Sequence, residues 1–151
     1  MKDIIVAGKN KTTDTKKFLE NKNPIVLLYE LQGCPHCTAI EQPWANAINK
    51  LKANKEVKEN MDCANAIYYY DKGVKPKAPK IRFDELPEQL RGVSGFPTIH
   101  IIKQGVVVDE YNGDRSETSI IEFVTNYVDK NKEAKHKAKV TPKKTAKKPK
   151  A

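Results

Sequence analysis

Two thiols three positions apart, in Gly33-Cys34-Pro35-His36-Cys37, follow the apolar run Ile25 to Leu31 and open a helical pattern. At that position and spacing the pair reads as a dithiol that can close into one disulfide. The two sulfurs are expected to be unequal. Cys34, the first, can face solvent and the unpaired N–H groups of the helix end, whose partial positive charge favours a thiolate. Cys34 is therefore the candidate nucleophile, and Cys37, one turn deeper, the candidate resolving thiol. His36 between them adds a second positive charge in its imidazolium form. The competing reading of Cys-x-x-Cys is half of a zinc site, and zinc asks for four ligands. Cys63 is the one further cysteine, and His100 and His136 show no paired ligand spacing, so no metal site is expected. The Cys34–Cys37 disulfide is the only redox group this chemistry needs, with no separate cofactor.

The elements that must position this pair can be read outward from it. Ile25 to Leu31 is nearly continuous in apolar residues, as in a central strand covered on both faces. After Cys37, Ile40, Trp44, Ala47, Ile48 and Leu51 recur at helical spacing, so one face of this helix packs on the sheet. Pro43 lies inside it and is expected to kink it. Trp44 reads as a core anchor, with a substrate contact as the alternative. Asp3 to Ala7 reads as a short edge strand, and Thr12 or Thr13 as the cap of a helix carrying Phe18 and Leu19. Val57 to Asp62 carries a modest strand signal ending at Cys63. That thiol is expected to be buried and inert, the alternative being a place beside the active pair on the same sheet edge.

Asn65 to Glu85 shows no sustained period and reads as a long loop or a short helix plus loop. Its Tyr68-Tyr69-Tyr70 either covers the flank of the domain or offers a partner surface. Leu86 to Leu90 can start a short helix with Pro87 in its first turn. Ile99 to Ile102, a turn at Lys103-Gln104-Gly105, and Val106 to Val108 make a β-hairpin on which His100 is expected to be exposed. Asp114 or Ser116 can cap a last helix whose apolar face is Ile120, Ile121, Val124, Tyr127 and Val128.

In this order the elements resemble the thioredoxin superfamily, an α/β fold with a central mixed β-sheet flanked by helices. Around Gly92-Val93-Ser94-Gly95-Phe96-Pro97-Thr98 and Tyr111-Asn112-Gly113-Asp114-Arg115-Ser116 the chain most resembles catalytic domains of protein disulfide isomerases. The likeness runs from about Ile25 to Val128 with one interruption. It implies thiol–disulfide exchange with protein substrates, in which Cys34 attacks a disulfide and Cys37 resolves the mixed disulfide. Pro97 would be cis and lie beside the dithiol, keeping metal away from it. The backbone of Phe96 would stay open to an extended substrate segment, with Thr98 and Gly33 also at substrate-binding positions. The dipeptide Pro35-His36 is like that of bacterial periplasmic disulfide oxidases, where isomerases usually carry Gly-His and thioredoxins Gly-Pro. Stabilising the Cys34 thiolate makes the disulfide form more oxidising, which leans the expectation toward oxidase or isomerase rather than reductase.

Three departures from the family pattern stand out. The family usually places a buried acid six residues before the first cysteine to accept the proton of the resolving thiol, and Leu28 stands there. Glu30, two residues on and so on the same strand face, is the candidate substitute; the alternative is an ordinary charged residue near a strand end. Gly33 occupies a position where the family commonly has Trp, which opens the surface beside Cys34. The interruption at 65–85 follows a strand ending on the active-site edge and could add a wall there.

The chain has 151 residues, enough for one domain with a real core. No run reaches the apolar length of a membrane span, and the N-terminus carries no signal-peptide core, so a cytoplasmic location is expected. Three cysteines, two in one motif, suit a reducing compartment. Such a body in a cytosolic chain is also similar to redox proteins of large cytoplasmic DNA viruses, which gives the virion or the host cytoplasm as the alternative. The formal net charge is +9, yet from Asp129 onward ten lysines stand against Asp129 and Glu133, so that segment alone carries +8. A thioredoxin-like domain is expected over 1–130 and a disordered Lys-rich tail over 131–151. A flexible polycation binds nucleic acid or anionic surfaces without sequence preference, or simply solubilises. The competing function class is therefore a non-catalytic thioredoxin-like binding module tethered by that tail.

Overall fold

The computed structural model describes residues 1–4, 16–71, 73–75 and 80–140, with side chains to residue 131. In chain order the elements are α1 (Lys17–Glu20), β1 (Ile25–Leu31), α2 (Pro35–Lys52), α3 (Lys55–Asn60), β2 (Asp62–Tyr68), β3 (Lys80–Arg82), β4 (Thr98–Lys103), β5 (Val106–Glu110) and α4 (Glu117–Val140). Two 3₁₀ turns, Phe83–Glu85 and Glu88–Leu90, lie between β3 and β4. The five strands form one sheet in the order β3-β2-β1-β4-β5. β1 pairs parallel with β2 and antiparallel with β4, β2 pairs parallel with β3, and β5 returns antiparallel along β4.

The central place of β1 explains its composition. Val26 and Leu28 point into a core with Ile40, Trp44 and Ile48 of α2 and Ile120 and Val124 of α4, whereas Ile25, Leu27 and Tyr29 meet Phe18, Ile81, Leu86 and Leu90 on the other face. A strand buried on both faces has no polar side to write into its sequence. α2 runs unbroken through Pro43, with Trp44 buried against the sheet as a core residue. The β4–β5 connection is two residues, Gln104 at φ 48° and Gly105 at φ 84°, as in a tight hairpin turn with both centres left-handed. Among the described residues no helix is long and apolar enough to cross a membrane.

Several expectations need correction. The strand expected over Val57 to Asp62 is mostly α3: the Asn54 side chain accepts from the Val57 N–H at 3.2 Å, capping a Lys- and Glu-rich turn of which only Val57 is buried. The strand is instead Asp62–Tyr68. Its polar members hid it, because Asp62 is buried yet satisfied by the Lys2 N–H and Asn21 Nδ2, each at 2.9 Å. Cys63 is therefore the second residue of β2, paired with Val26 far from the Cys34 edge, and its thiol lies 3.0 Å from Asp3 Oδ1. Burial and the Asp3 carboxylate push that thiol well above its usual range.

Asn65 to Glu85 is not a plain loop: it contains the end of β2 and the added edge strand β3. His100 is buried rather than exposed, because β4 is an interior strand; its Nδ1 lies 3.3 Å from Tyr29 Oη. At the N-terminal edge, Asp3 bridges Cys63 in parallel, while the rest of the expected strand to Ala7 and the caps at Thr12 and Thr13 lie outside the described residues. Ser116 Oγ accepts from the Ser119 N–H at 3.1 Å and caps α4. That helix continues to Val140, ten residues beyond the boundary expected at Lys130, as its Lys- and Ala-rich composition favours. The remaining tail, 141–151, lies outside the described residues.

Candidate active site

β1 ends at Leu31, and Gln32-Gly33 turn the chain toward α2. Gly33 sits at φ +74°, a backbone that side chains with a Cβ rarely adopt. Cys34 is then extended (φ −87°, ψ 116°) and is itself the N-cap of α2, its sulfur accepting from the Cys37 N–H at 3.3 Å. A sulfur thus occupies the place usually filled by a Ser or Asp oxygen. Pro35 opens the helix where no N–H is required. His36 is exposed on the first turn.

The two sulfurs are electrically unlike. Cys34 is held below its ordinary value by the hydrogen bond from the Cys37 side chain, then by the N–H groups of Cys37 and His36 and the charge of Arg115. Cys37 is buried and pushed up to about 12, chiefly by desolvation and then by the Cys34 and Glu30 charges, against the pull of the Leu31 N–H at 3.4 Å. Of the two, the outer sulfur is the one that gives up its proton more readily. All three cysteines are free thiols in this structure.

Glu30 lies on the α2 face of β1, 1% exposed, and its charge reaches Cys37. Lys80 of β3 stands between two carboxylates, 3.5 Å from Glu30 and 2.6 Å from Glu41 of α2. Burial first, then a hydrogen bond with Glu41, raises the Glu30 carboxyl to about 7 against the pull of Lys80 and Asn65. Across the dithiol, the Phe96–Pro97 peptide is cis and the Phe96 carbonyl oxygen lies 4.0 Å from Cys34 Sγ. Thr98 begins β4, its hydroxyl donating to the Gly95 carbonyl at 2.7 Å.

Of the candidate residues, Gly33, Cys34, Pro35, His36, Cys37, Phe96 and Pro97 converge on one sheet edge, with Glu30 just beneath and Thr98 beside them. Among the described residues, no three of His, Cys, Asp and Glu gather where they could hold a metal ion. Sequence reasoning gave no role to Arg115, although it stands in the quoted Tyr111–Ser116 segment. Glu41 was discoverable, being one helical turn beyond Cys37. Lys80 carried no signal, since nothing local reveals that its segment returns to the sheet.

The sequence profile of the family described as Thioredoxin matches residues 6–126. The chain belongs to the thioredoxin family. It is 29% identical over 115 residues to a probable protein disulfide-isomerase A4 of Caenorhabditis elegans, covering 76% of this chain and 16% of that protein. It is 24% identical over 106 residues to human protein disulfide-isomerase A6, covering 70% of this chain and 21% of that one. The thioredoxin-family chain thus spans only a small part of these curated relatives. Among solved structures, the first thioredoxin domain of mouse protein disulfide-isomerase A4 superposes with a TM-score of 0.55 at 23% identity, covering 83% of this chain and 81% of that one. A human ERp44 structure gives 0.58 at 14% identity, over 84% and 31%. These likenesses establish the thioredoxin fold, a mixed five-stranded sheet flanked by helices, and the relation to disulfide-isomerase domains supports an oxidoreductase-like function.

Proposed function

We propose that this thioredoxin-family protein exchanges disulfides with protein substrates through Cys34 and Cys37, favouring disulfide donation or shuffling over reduction. The observation that carries the reading is the asymmetric pair: a Cys34 sulfur capping α2 and a buried, protonated Cys37 one turn deeper. In the reductive direction the Cys34 thiolate attacks a substrate disulfide, forming a Cys34–substrate bond and releasing one substrate thiolate. Cys37 gives its proton to Glu30, and its thiolate attacks Cys34 sulfur, releasing the second substrate thiolate. Two electrons pass from the dithiol to the substrate; disulfide donation is the same path reversed. Phe96, Thr98 and Gly33 border the approach to Cys34 and receive the substrate chain.

Stabilising the Cys34 thiolate stabilises the reduced protein and raises the potential of the couple. Equilibration of the full chain against glutathione buffers, with Cys63→Ser as control, measures it. A potential near the isomerase value of about −180 mV or above is expected, and one near thioredoxin's about −270 mV would reassign the protein as a reductase. The Lys-rich C-terminal segment we take as a tether to nucleic acid or another anionic partner, favoured by the +8 charge carried from Asp129 onward.

A further inference from the structure

We infer that the segment joining β2 to β4 supplies an aromatic recognition surface beside Cys34, selecting substrate cysteines flanked by an aromatic or large aliphatic residue. The inference rests on the oxidoreductase reading and adds to it a substrate class. Four rings carry it: Phe96 next to the cis proline, and Tyr68, Tyr70 and Phe83 from the inserted segment. Phe83 is the hub. Its ring meets Phe96 at 6.0 Å, Tyr68 at 5.6 Å and the buried Tyr29 at 6.2 Å between centroids, all edge-on. Rings braced in this way present their faces without first paying for order.

The row begins with the ring of Phe96, the residue whose backbone carbonyl lies 4.0 Å from Cys34 Sγ. It ends on open surface. Tyr68 is 42% and Tyr70 65% exposed, although both are large apolar rings at the edge of a domain with a well-filled core. Tyr69 between them is engaged by Arg82, whose guanidinium lies 5.4 Å from its ring centre.

Two contacts fix the inserted segment to the active-site turn. The Gln32 N–H donates to the Tyr68 carbonyl at 2.9 Å, and Gln32 Oε1 accepts from the Asp71 N–H at 3.2 Å. Between them the Tyr70 hydroxyl approaches Gly33: a Cβ on Gly33 would stand 3.1 Å from Tyr70 Oη. The exposed glycine next to Cys34 thus has a tyrosine hydroxyl from elsewhere in the chain beside it.

Geometry names the occupant. In a mixed disulfide the two bridged Cα atoms lie about 5.5–6 Å apart, and each further residue of an extended chain adds roughly 3.3 Å. A substrate chain that runs on past Phe96 would therefore meet Phe83 and the tyrosines within a residue or two of its cysteine. An apolar side chain there removes ring surface from water, whereas alanine leaves it wet.

The test uses two peptides that differ only in Phe or Ala beside a single cysteine, each blocked as a mixed disulfide with thionitrobenzoate. Release of that chromophore by the reduced full-length protein gives two second-order rate constants. A preference for the Phe peptide on the order of tenfold is expected, falling toward one in Tyr70→Ala and in Tyr68→Ala and persisting in Tyr70→Phe. The ratio is internal to each variant, so a change in Cys34 reactivity or in folded fraction moves both rates together. Equal rates in the unmodified protein, or a preference that survives both alanine variants, would overturn the inference. Oxidised glutathione serves as a third substrate for the unmodified protein. Failure to exchange with all three would sink the oxidoreductase reading itself, and the inference with it.

Discussion

Glu30 is a buried carboxylic acid whose charge reaches Cys37, the thiol that in the proposed exchange loses a proton in the second half. With its carboxyl raised to about 7 it can both take a proton from Cys37 and release it near neutral pH. Glu30→Gln keeps the shape and removes the proton site. Resolution of a Cys34-linked mixed disulfide, followed by release of the second substrate thiol, should slow by about a hundredfold near pH 7. Unchanged resolution across pH would remove Glu30 from the mechanism. The same residue also acts on stability. Its folded pKa lies above the ordinary value of 4.5, so between pH 4.5 and about 7 the folded state holds more protons than the unfolded one. Stability attributable to Glu30 is thus fully present below pH 4.5, falls as pH rises through this window, and is flat above it. Urea titrations should show Glu30→Gln more stable than the parent at pH 8 by on the order of 3 kcal/mol, with the difference vanishing by pH 4.

At the scale of elements, the hairpin that extends the cis-proline strand depends on a left-handed glycine in its turn. Gly105 holds φ +84°, and a Cβ there would lie 2.6 Å from Leu19 Cδ2 and 3.3 Å from Gln89 Nε2. Gly105→Ala must both enter the left-handed region, at roughly 1–2 kcal/mol, and displace Leu19. We expect a stability loss of at least that size in urea unfolding, with no change in the rate of exchange with oxidised glutathione, because the turn lies at the end of β4 away from Thr98. A change in that rate without a loss of stability would contradict this picture. The elements around the dithiol were legible for the reason that makes them stable: β1, α2 and α4 carry apolar positions at the period of the structure they form. β2 was misread because its Asp62 and Asn65 look solvent-facing, yet their partners come from distant parts of the chain or from the Glu30 carboxyl. β3 is three residues long and depends on β2 rather than on its own pattern. The approach of Tyr70 to Gly33 and the Lys80 ion pairs are likewise contacts between segments about forty to fifty residues apart, which no local period encodes.

For the whole molecule, the charge distribution separates two jobs. Residues 1–128 carry a formal +1 and the remainder +8, so a long-range attraction to anions acts through the C-terminal segment and leaves the dithiol's own field to Arg115 and the start of α2. Part of that segment is the extension of α4 to Val140; beyond it, residues 141–151 add five lysines and no acid. If each lysine neutralises one phosphate of a single-stranded polynucleotide, removing residues 141–151 should flatten the plot of log affinity against log salt by up to about 3.5. The same truncation should leave the exchange rate with oxidised glutathione unchanged, since no residue of the dithiol edge is touched. Cys34→Ser should do the reverse, abolishing exchange at full polyanion affinity. Fluorescence anisotropy of a labelled oligonucleotide across a salt series, run beside the exchange assay on both variants, reads the two properties independently. A truncated protein with the same slope would mean that the body, not the tail, meets the polyanion, and the tether reading would fall while the thiol chemistry stood.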